Sequence, residues 1–353
     1  MDLAEKIKEK GLELGYTHVG ITSADDFPEY EQELLSREDY SIWTDSETSR
    51  FYGRSDLSAA SRPRSYYPQA KSIICATFGY SQYLYPEELT RYVARAYLCR
   101  AYGPLPDSSA GVRFTEFKRY IKSLGIGIYE GDMELPQRLS CARAGIITYG
   151  KNNFAYTKED GSFNILYTIL VDTELPIDEP TIRQDCPENC TLCIDACPSH
   201  AILRPTRLHP QNCMVHNNQL PIGLLPKERR DFLGLHFHGC DVCQLACPRN
   251  QAVLKRANRK DPLLEVLKDK FDLEKVLLMD DDYYQEVVRP IMFNYIHDMN
   301  VFRRNAAIAL GSTGDPSHIP ALQKAMEEYD CEEVRDAAQW AIDRLSGQDA
   351  PQQ

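Results

Sequence analysis

A chain of 353 residues, 43% hydrophobic and 26% charged, has enough apolar side chains for two or three domains, each with a sizeable core. Forty Lys and Arg against 52 Asp and Glu leave a net charge of −12, which excludes a general basic surface for nonspecific nucleic-acid binding and leaves room only for a local patch. No apolar run approaches the roughly 18 residues that span a bilayer, and the N-terminus MDLAEKIKEKGLELGY lacks a signal-peptide core, so a cytoplasmic protein with no membrane partner is expected.

In chain order, residues 1–180 read as a mixed α/β domain. Apolar positions at helical spacing predict a helix over 3–15 with Gly15 as its stop. Apolar and β-branched runs predict strands at 17–23, 72–80 and 165–172. Residues 24–71 show little periodicity and read as a long excursion, a length that in an ordered domain often serves a ligand lid. Two later segments stand out. The run 128-IYEGDMELPQR-138 gathers Glu130, Asp132 and Glu134, which would raise at least one carboxyl pKa if buried together and is otherwise a solvated acidic turn. The run 142-ARAGIITYGKNNFAY-156 carries glycines at 145 and 150 and a Lys-Asn-Asn tip, and its plainest reading is a surface hairpin. Neither a GxGxxG after a strand nor a P-loop occurs, so no nucleotide fingerprint is present.

Eight of the twelve cysteines fall between 186 and 247, and each of two runs ends in Cys-Pro. The run 190-CTLCIDACPSHAI-202 has the CxxC then CxxxC spacing of bacterial [4Fe–4S] ferredoxins, in which the cysteine before the proline ligates the other cluster. Cluster I is therefore assigned to Cys186, Cys190, Cys193 and Cys247, and cluster II to Cys197, Cys213, Cys240 and Cys243. Zinc knuckles are the rival reading, disfavoured by the doubled CxxxCP and the lone Cys213. Cys186-Pro-Glu-Asn-Cys190 departs from the usual pattern by one extra residue. His209, His216, His236 and His238 flank these cysteines as further ligand candidates, though histidines beside ligands more often support than coordinate. Cys75, Cys99, Cys141 and Cys331 lie among apolar neighbours and read as small buried hydrophobes.

The ferredoxin unit is placed at 181–255 and a helical unit at 256–353, where RRNAAIALG and VRDAAQWAI are near-copies in a HEAT-like pattern. Arg249, Lys255, Arg256, Arg259, Lys260, Lys268 and Lys270 form a candidate basic patch, with Arg303, Arg304 and Arg335 nearby in sequence; a solvated helix face is the alternative. The fold class is thus α+β: an N-terminal α/β domain, a bacterial-type two-cluster ferredoxin module and a HEAT-like helical cap.

The order of these pieces resembles the cobalamin-dependent epoxyqueuosine reductases and, more distantly, the reductive dehalogenases. The resemblance rests on 15-GYTHVGITSA-24, 63-PRSYYPQAKSIICATFGY-80, 138-RLSCARAGIITYGKNNF-154, 161-GSFNILYTILVD-172, both cysteine runs with Cys213, and RRNAAIALGSTGD. It implies that residues 1–180 are a corrinoid-binding catalytic domain, with a base-off cobalamin between it and the two [4Fe–4S] clusters. By the same likeness electrons enter at cluster I from a low-potential ferredoxin or flavodoxin, pass through cluster II, and yield cob(I)alamin, while a nearby acid protonates the substrate. Aligned without gaps, the acid of that family falls on Gly131; a one-residue deletion brings Asp132 onto it. Asp132 is therefore the expected general acid, with Glu130, Glu134 and the Tyr129 phenol as competitors. Arg143, Gly150, Lys151, Asn152 and Asn153 are the expected corrinoid contacts, and the tyrosines from Tyr80 to Tyr102 candidate cavity-lining groups.

The function so implied is deoxygenation of epoxyqueuosine in tRNA, a step of queuosine biosynthesis, with tRNA held by the local basic patch. The alternatives are a related corrinoid and iron–sulfur reductase acting on a small molecule or a corrinoid protein, and a simple electron carrier, which 180 residues before the clusters make hard to justify.

Overall fold

The computed structural model describes residues 2–37, 57–131, 135–181, 185–220, 223–292 and 298–347; Asp132 and Glu134 lie outside them. Strands β1 (His18–Ser23), β2 (Ser72–Gly79) and β3 (Asn164–Val171) pair antiparallel with β2 in the middle. Each falls within about a residue of its predicted span. Every residue of β2 is buried, as a strand covered on both faces must be. Its side chains alternate between two cores. Ile74, Ala76 and Phe78 join Ile165, Tyr167 and Ile169 under the helices Leu3–Glu13 and Ser109–Ser123. Ile73 and Cys75 face Leu170 and the buried Cys141 and Ala142 of the helix Gln137–Arg143.

That last helix lies close because residue 20 has no side chain: a Cβ on Gly20 would come within 2.3 Å of the Ala144 carbonyl. The first helix starts on a capping box between Asp2 and Glu5 and ends before Gly15 at φ +93°, as its sequence signals required. Within the excursion 24–71, helices form at Pro28–Leu35 and Pro63–Tyr66. Among the described residues no helix is long and apolar enough to cross a membrane.

Three helices, Met299–Gly311, Ile319–Glu328 and Glu332–Leu345, form the C-terminal stack. The two near-copied sequences are its first and third helices and pack on each other through small residues: a Cβ on Gly311 would sit 2.7 Å from the Ala341 Cβ. Their core also takes in Leu89, Val93 and Leu98 from the N-terminal part and Met214, Leu233 and Phe237 from the cysteine-rich part. All three expected segments thus contribute to it.

Polar anchors fasten this stack to the cysteine-rich segment. Arg304 is only 2% exposed and donates to the carbonyls of Asn217 (2.8 Å) and Leu220 (3.2 Å), while Asn305 donates to those of Asn218 (2.6 Å) and Phe237 (3.0 Å). Burial lowers the Arg304 pKa to about 10, which leaves it charged near neutrality. Replacing Asn305 by Ala strands two buried carbonyls and the Arg304 contact, each worth about 1–3 kcal/mol. Thermal unfolding of Asn305→Ala, followed by circular dichroism, is expected several degrees below wild type; an unchanged midpoint would show that this anchor carries no stability.

Candidate cluster and reduction site

Both cysteine runs fold the same way. The short helices Leu192–Asp195 and Val242–Leu245 each close on the cysteine before proline, with Cys197 N–H bonded to Ile194 and Cys247 N–H to Gln244, both at 3.2 Å. The eight thiols sort into two sets. Burial, and then the neighbouring Cys186, Cys247 and Cys190, push the Cys193 thiol up to about 11. Burial, and then Cys213 and Cys197, push Cys240 up to about 12. Cys243 is raised by burial and then by Cys240, Cys213, Cys193 and Cys197. Cys193 thus stands near Cys186, Cys190 and Cys247, Cys240 near Cys213 and Cys197, and Cys243 near members of both groups. Thiols crowded and buried in this way hold their protons until a metal takes their place, and the donor chemistry fits two cubanes. Among the described residues no three Cys, His, Asp or Glu side chains converge to hold a single ion; ligands of a cubane stand further apart because each binds a different iron.

The glycine-flanked hairpin reaches both sets. Strands Thr148–Tyr149 and Ala155–Tyr156 carry a tip on which Asn153 adopts φ +64°. The Lys151 ammonium donates to the carbonyls of Pro187 (2.9 Å), Glu188 (2.5 Å) and Cys190 (2.9 Å). Asn152 donates to the Cys243 carbonyl (3.3 Å) and the Tyr156 hydroxyl (3.1 Å). Gly150 is required by the Tyr156 ring, which a Cβ would approach to 2.3 Å. Arg143 lies over the Phe27 ring at 4.1 Å and pairs with Glu29 at 2.6 Å, and the Asn153 carbonyl accepts from Arg138 at 2.5 Å. Of the expected corrinoid contacts, Lys151 and Asn152 bond the loops of the cysteine runs through their side chains, and Arg143 pairs with Glu29 of the excursion.

Buried polar contacts dock the second run on the sheet domain. Ser162, next to β3, accepts from Asn250 and donates to Gln244, and its N–H bonds the Asn250 side chain at 2.9 Å. Gly161, at φ +58°, leaves room for Asn250, whose Oδ1 a Cβ would meet at 2.3 Å. Arg95 pairs with Asp241 at 2.9 Å, and Ala94 and His238 are bonded through their backbones at 2.8 Å. Ser162, Arg95, Asp241, Gln244, Asn250 and Asn305 are structural residues that sequence reasoning missed; the one local signal was a polar run, 216-HNNQ-219, buried beside Cys213.

A groove of about 310 Å³ runs along β3, lined by Ala101–Pro104, Tyr129–Gly131, Gln137 and Ile165–Ile169. One end of β3 adjoins the Gly161–Ser162 dock, and the other pairs with Ile128 and accepts the Tyr129 N–H at Leu170. The chain from Ala94 to Pro104 joins the cluster II loop to the groove wall. A larger hollow of about 490 Å³, lined by Ser23, Arg64, Lys71 and Glu174, lies at the far end of the sheet from the thiols.

Of the acid candidates, Asp132 and Glu134 fall outside the described residues. Glu130 is exposed, and hydrogen bonds from Lys118 (2.7 Å) and Lys122 (2.5 Å) lower its pKa. That favours the carboxylate, the wrong form for a proton donor. The Tyr129 hydroxyl lies over Gly131, where a Cβ would meet it at 2.4 Å. Tyr102 lines the groove, whereas Tyr80 and Tyr97 are core residues. His238 is fully buried 4.6 Å from Tyr97, and burial lowers its pKa to about 3.

The basic run is partly neutralised. Arg249 pairs with Asp185 at 3.5 Å and covers the Tyr156 ring at 4.4 Å, Lys268 bridges Glu88 and Glu265, and Lys260 reaches Glu265 at 3.4 Å. Arg304 is buried and Arg303 covers Tyr329 at 4.1 Å; Lys255, Arg256, Arg259 and Lys270 remain exposed. The crossed assignment makes a direct test: Cys247→Ala and Cys186→Ala should leave the same residual cluster spectrum and about four of eight irons, with Cys197→Ala and Cys213→Ala leaving the other. If Cys247→Ala matches Cys213→Ala instead, the assignment is wrong.

Residues 186–250 match the model of a 4Fe-4S double cluster binding domain, and residues 291–353 match HEAT repeats. The epoxyqueuosine reductase of Bacillus subtilis (strain 168) is 28% identical over 352 residues, covering 97% of this chain and 88% of that protein. The Escherichia coli (strain K12) epoxyqueuosine reductase is 30% identical over 260 residues, covering 70% and 65%. Two solved structures share the fold. An epoxyqueuosine reductase with a tRNA-Tyr epoxyqueuosine-modified stem loop superposes with a TM-score of 0.76 at 23% identity, over 98% of this chain and 99% of that one. The Bacillus subtilis enzyme with its catalytic aspartate loop swung out of the active site gives 0.75 at 24% identity, over 97% and 99%. Along nearly its whole length, in sequence and in fold, this chain resembles the epoxyqueuosine reductases.

Proposed function

We propose that this chain is an epoxyqueuosine reductase, which converts the epoxide of a tRNA-borne base to an alkene with two electrons and two protons, releasing water. One observation carries the reading: β3 connects the dock of the second cysteine run to the acidic segment, with an open groove between them. Its three chemical units are residues 1–180 for catalysis, 181–255 for the clusters and 256–353 for the helical cap.

The groove suits a corrinoid lying against it. Over Ile165–Ile169 no strand among the described residues covers the outer edge of β3, so its backbone groups are free to meet the ring's amide side chains. Ala101, Gly103 and Gly131 keep the walls low. Bound there, cobalamin supplies low-valent cobalt as the electron source for the epoxide carbon. The rest is proton supply and positioning. Asp132, the covalent neighbour of the groove-lining Gly131, donates a proton to the departing oxygen, and Tyr129 orients that oxygen. That the catalytic loop of the Bacillus subtilis relative carries an aspartate supports an aspartate as the acid. Cluster II is proximal, through the Ala94–Pro104 link, and cluster I receives electrons from a low-potential ferredoxin or flavodoxin. The exposed Lys255, Arg256, Arg259 and Lys270 give the tRNA backbone a local positive surface.

Reconstituted protein with cobalamin and a low-potential donor should convert epoxyqueuosine tRNA to queuosine tRNA, read by nucleoside mass spectrometry. Corrinoid binding with the tRNA untouched would overturn this reading in favour of a small-molecule or corrinoid-protein substrate. Asp132→Asn is expected to lower turnover by about 10²–10⁴-fold, and Glu130→Gln to leave it within a few-fold. The reverse pattern would move the acid to Glu130.

A further inference from the structure

Lys151 is 6% exposed, and its three hydrogen-bond partners are all carbonyls of the Cys186–Cys190 loop. The three N–H donors of the ammonium match the three carbonyl acceptors one for one. The loop is the one with an extra residue, and its Cys190 N–H turns back onto the Pro187 carbonyl at 3.1 Å. The added residue lets the loop curl its carbonyls around a single cation. The cation therefore stands beside two ligands of cluster I, itself buried beneath a loop whose Pro187, Glu188 and Asn189 are exposed. A cubane with four thiolates carries about −2 when oxidised and one more negative charge when reduced, so a fixed positive charge favours the reduced form.

Resting on the two-cluster reading, we infer that Lys151 is a positioning residue for cluster I: it folds the lengthened Cys186–Cys190 loop and raises that cluster's reduction potential above what its thiolates alone would set. Asn152, on the same tip, holds the Cys243 carbonyl with a neutral amide and gives cluster II no such charge. The hairpin thus distinguishes the two clusters electrostatically.

The test is a redox titration of reconstituted full-length protein by electron paramagnetic resonance, with iron counted per chain, for wild type, Lys151→Met and Lys151→Arg. At the potential where wild-type cluster I is half reduced, Lys151→Met should show at least a tenfold lower ratio of reduced to oxidised cluster I, a shift of 59 mV for one electron, with cluster II within twofold of wild type. Lys151→Arg, which keeps the charge, should recover most of the shift. Selective loss of cluster I from Lys151→Met, leaving about four irons and the cluster II signal, also supports the assignment. It is overturned if the cluster I ratio stays within twofold of wild type, if Arg behaves as Met does, or if both clusters shift or vanish together. Wild-type protein that fails to take up two clusters would overturn the two-cluster reading instead.

Discussion

The tip of one hairpin is the point on which the arrangement turns. Lys151 and Asn152 are adjacent residues, yet the first holds the loop of Cys186 and Cys190 and the second holds the carbonyl of Cys243. A side chain of ordinary length cannot serve two clusters, but two neighbours splayed from a tight turn can. The turn is possible because Gly150 admits the Tyr156 ring and Asn153 accepts a left-handed backbone. The sheet domain and both sets of thiols are thereby fixed relative to one another, which electron transfer between them requires.

Polar contacts carry much of the remaining docking, for a reason that begins with the cysteines. Loops that wrap a cluster cannot pair their backbone in helices or strands, so their carbonyls need partners from elsewhere. Arg304 and Asn305 provide them to backbone carbonyls, while Ser162 and Arg95, from two other parts of the chain, bond the side chains of Gln244 and Asp241. Such networks are costly when incomplete, and they tie the fold of the cysteine-rich segment to its neighbours on both sides. The C-terminal helical stack accordingly acts as a clamp on the cluster loops.

Much of this was legible in the sequence. Strands 17–23, 72–80 and 165–172 could be read because a sheet covered on two faces demands continuous apolar runs, and the double-cluster segment because its ligand spacing is set by the cubane. What local sequence left hidden shares one cause. Lys151, Arg143, Arg304 and the run from Arg249 to Lys270 were judged by nearby residues, whereas their partners lie far along the chain: Cys190 for Lys151, Asn217 for Arg304, Glu88 for Lys268. A charge run shows how many cations are present and not which of them a distant carbonyl or carboxylate will claim. The same locality kept Glu130 as a competitor of Asp132, whereas Lys118 and Lys122 hold its carboxylate.

The groove along β3 unites these features, since it lies between a cluster dock and an acidic segment. The central claim is that a corrinoid sits there with cluster II as its nearest redox neighbour. The most direct measurement is electron paramagnetic resonance of the cobalamin-loaded protein poised with cobalt as Co(II), compared before and after reduction of cluster II. The account predicts that the cobalt spectrum broadens or splits when cluster II becomes paramagnetic, and that Cys243→Ala abolishes the change. A cobalt spectrum indifferent to the state of cluster II would contradict it.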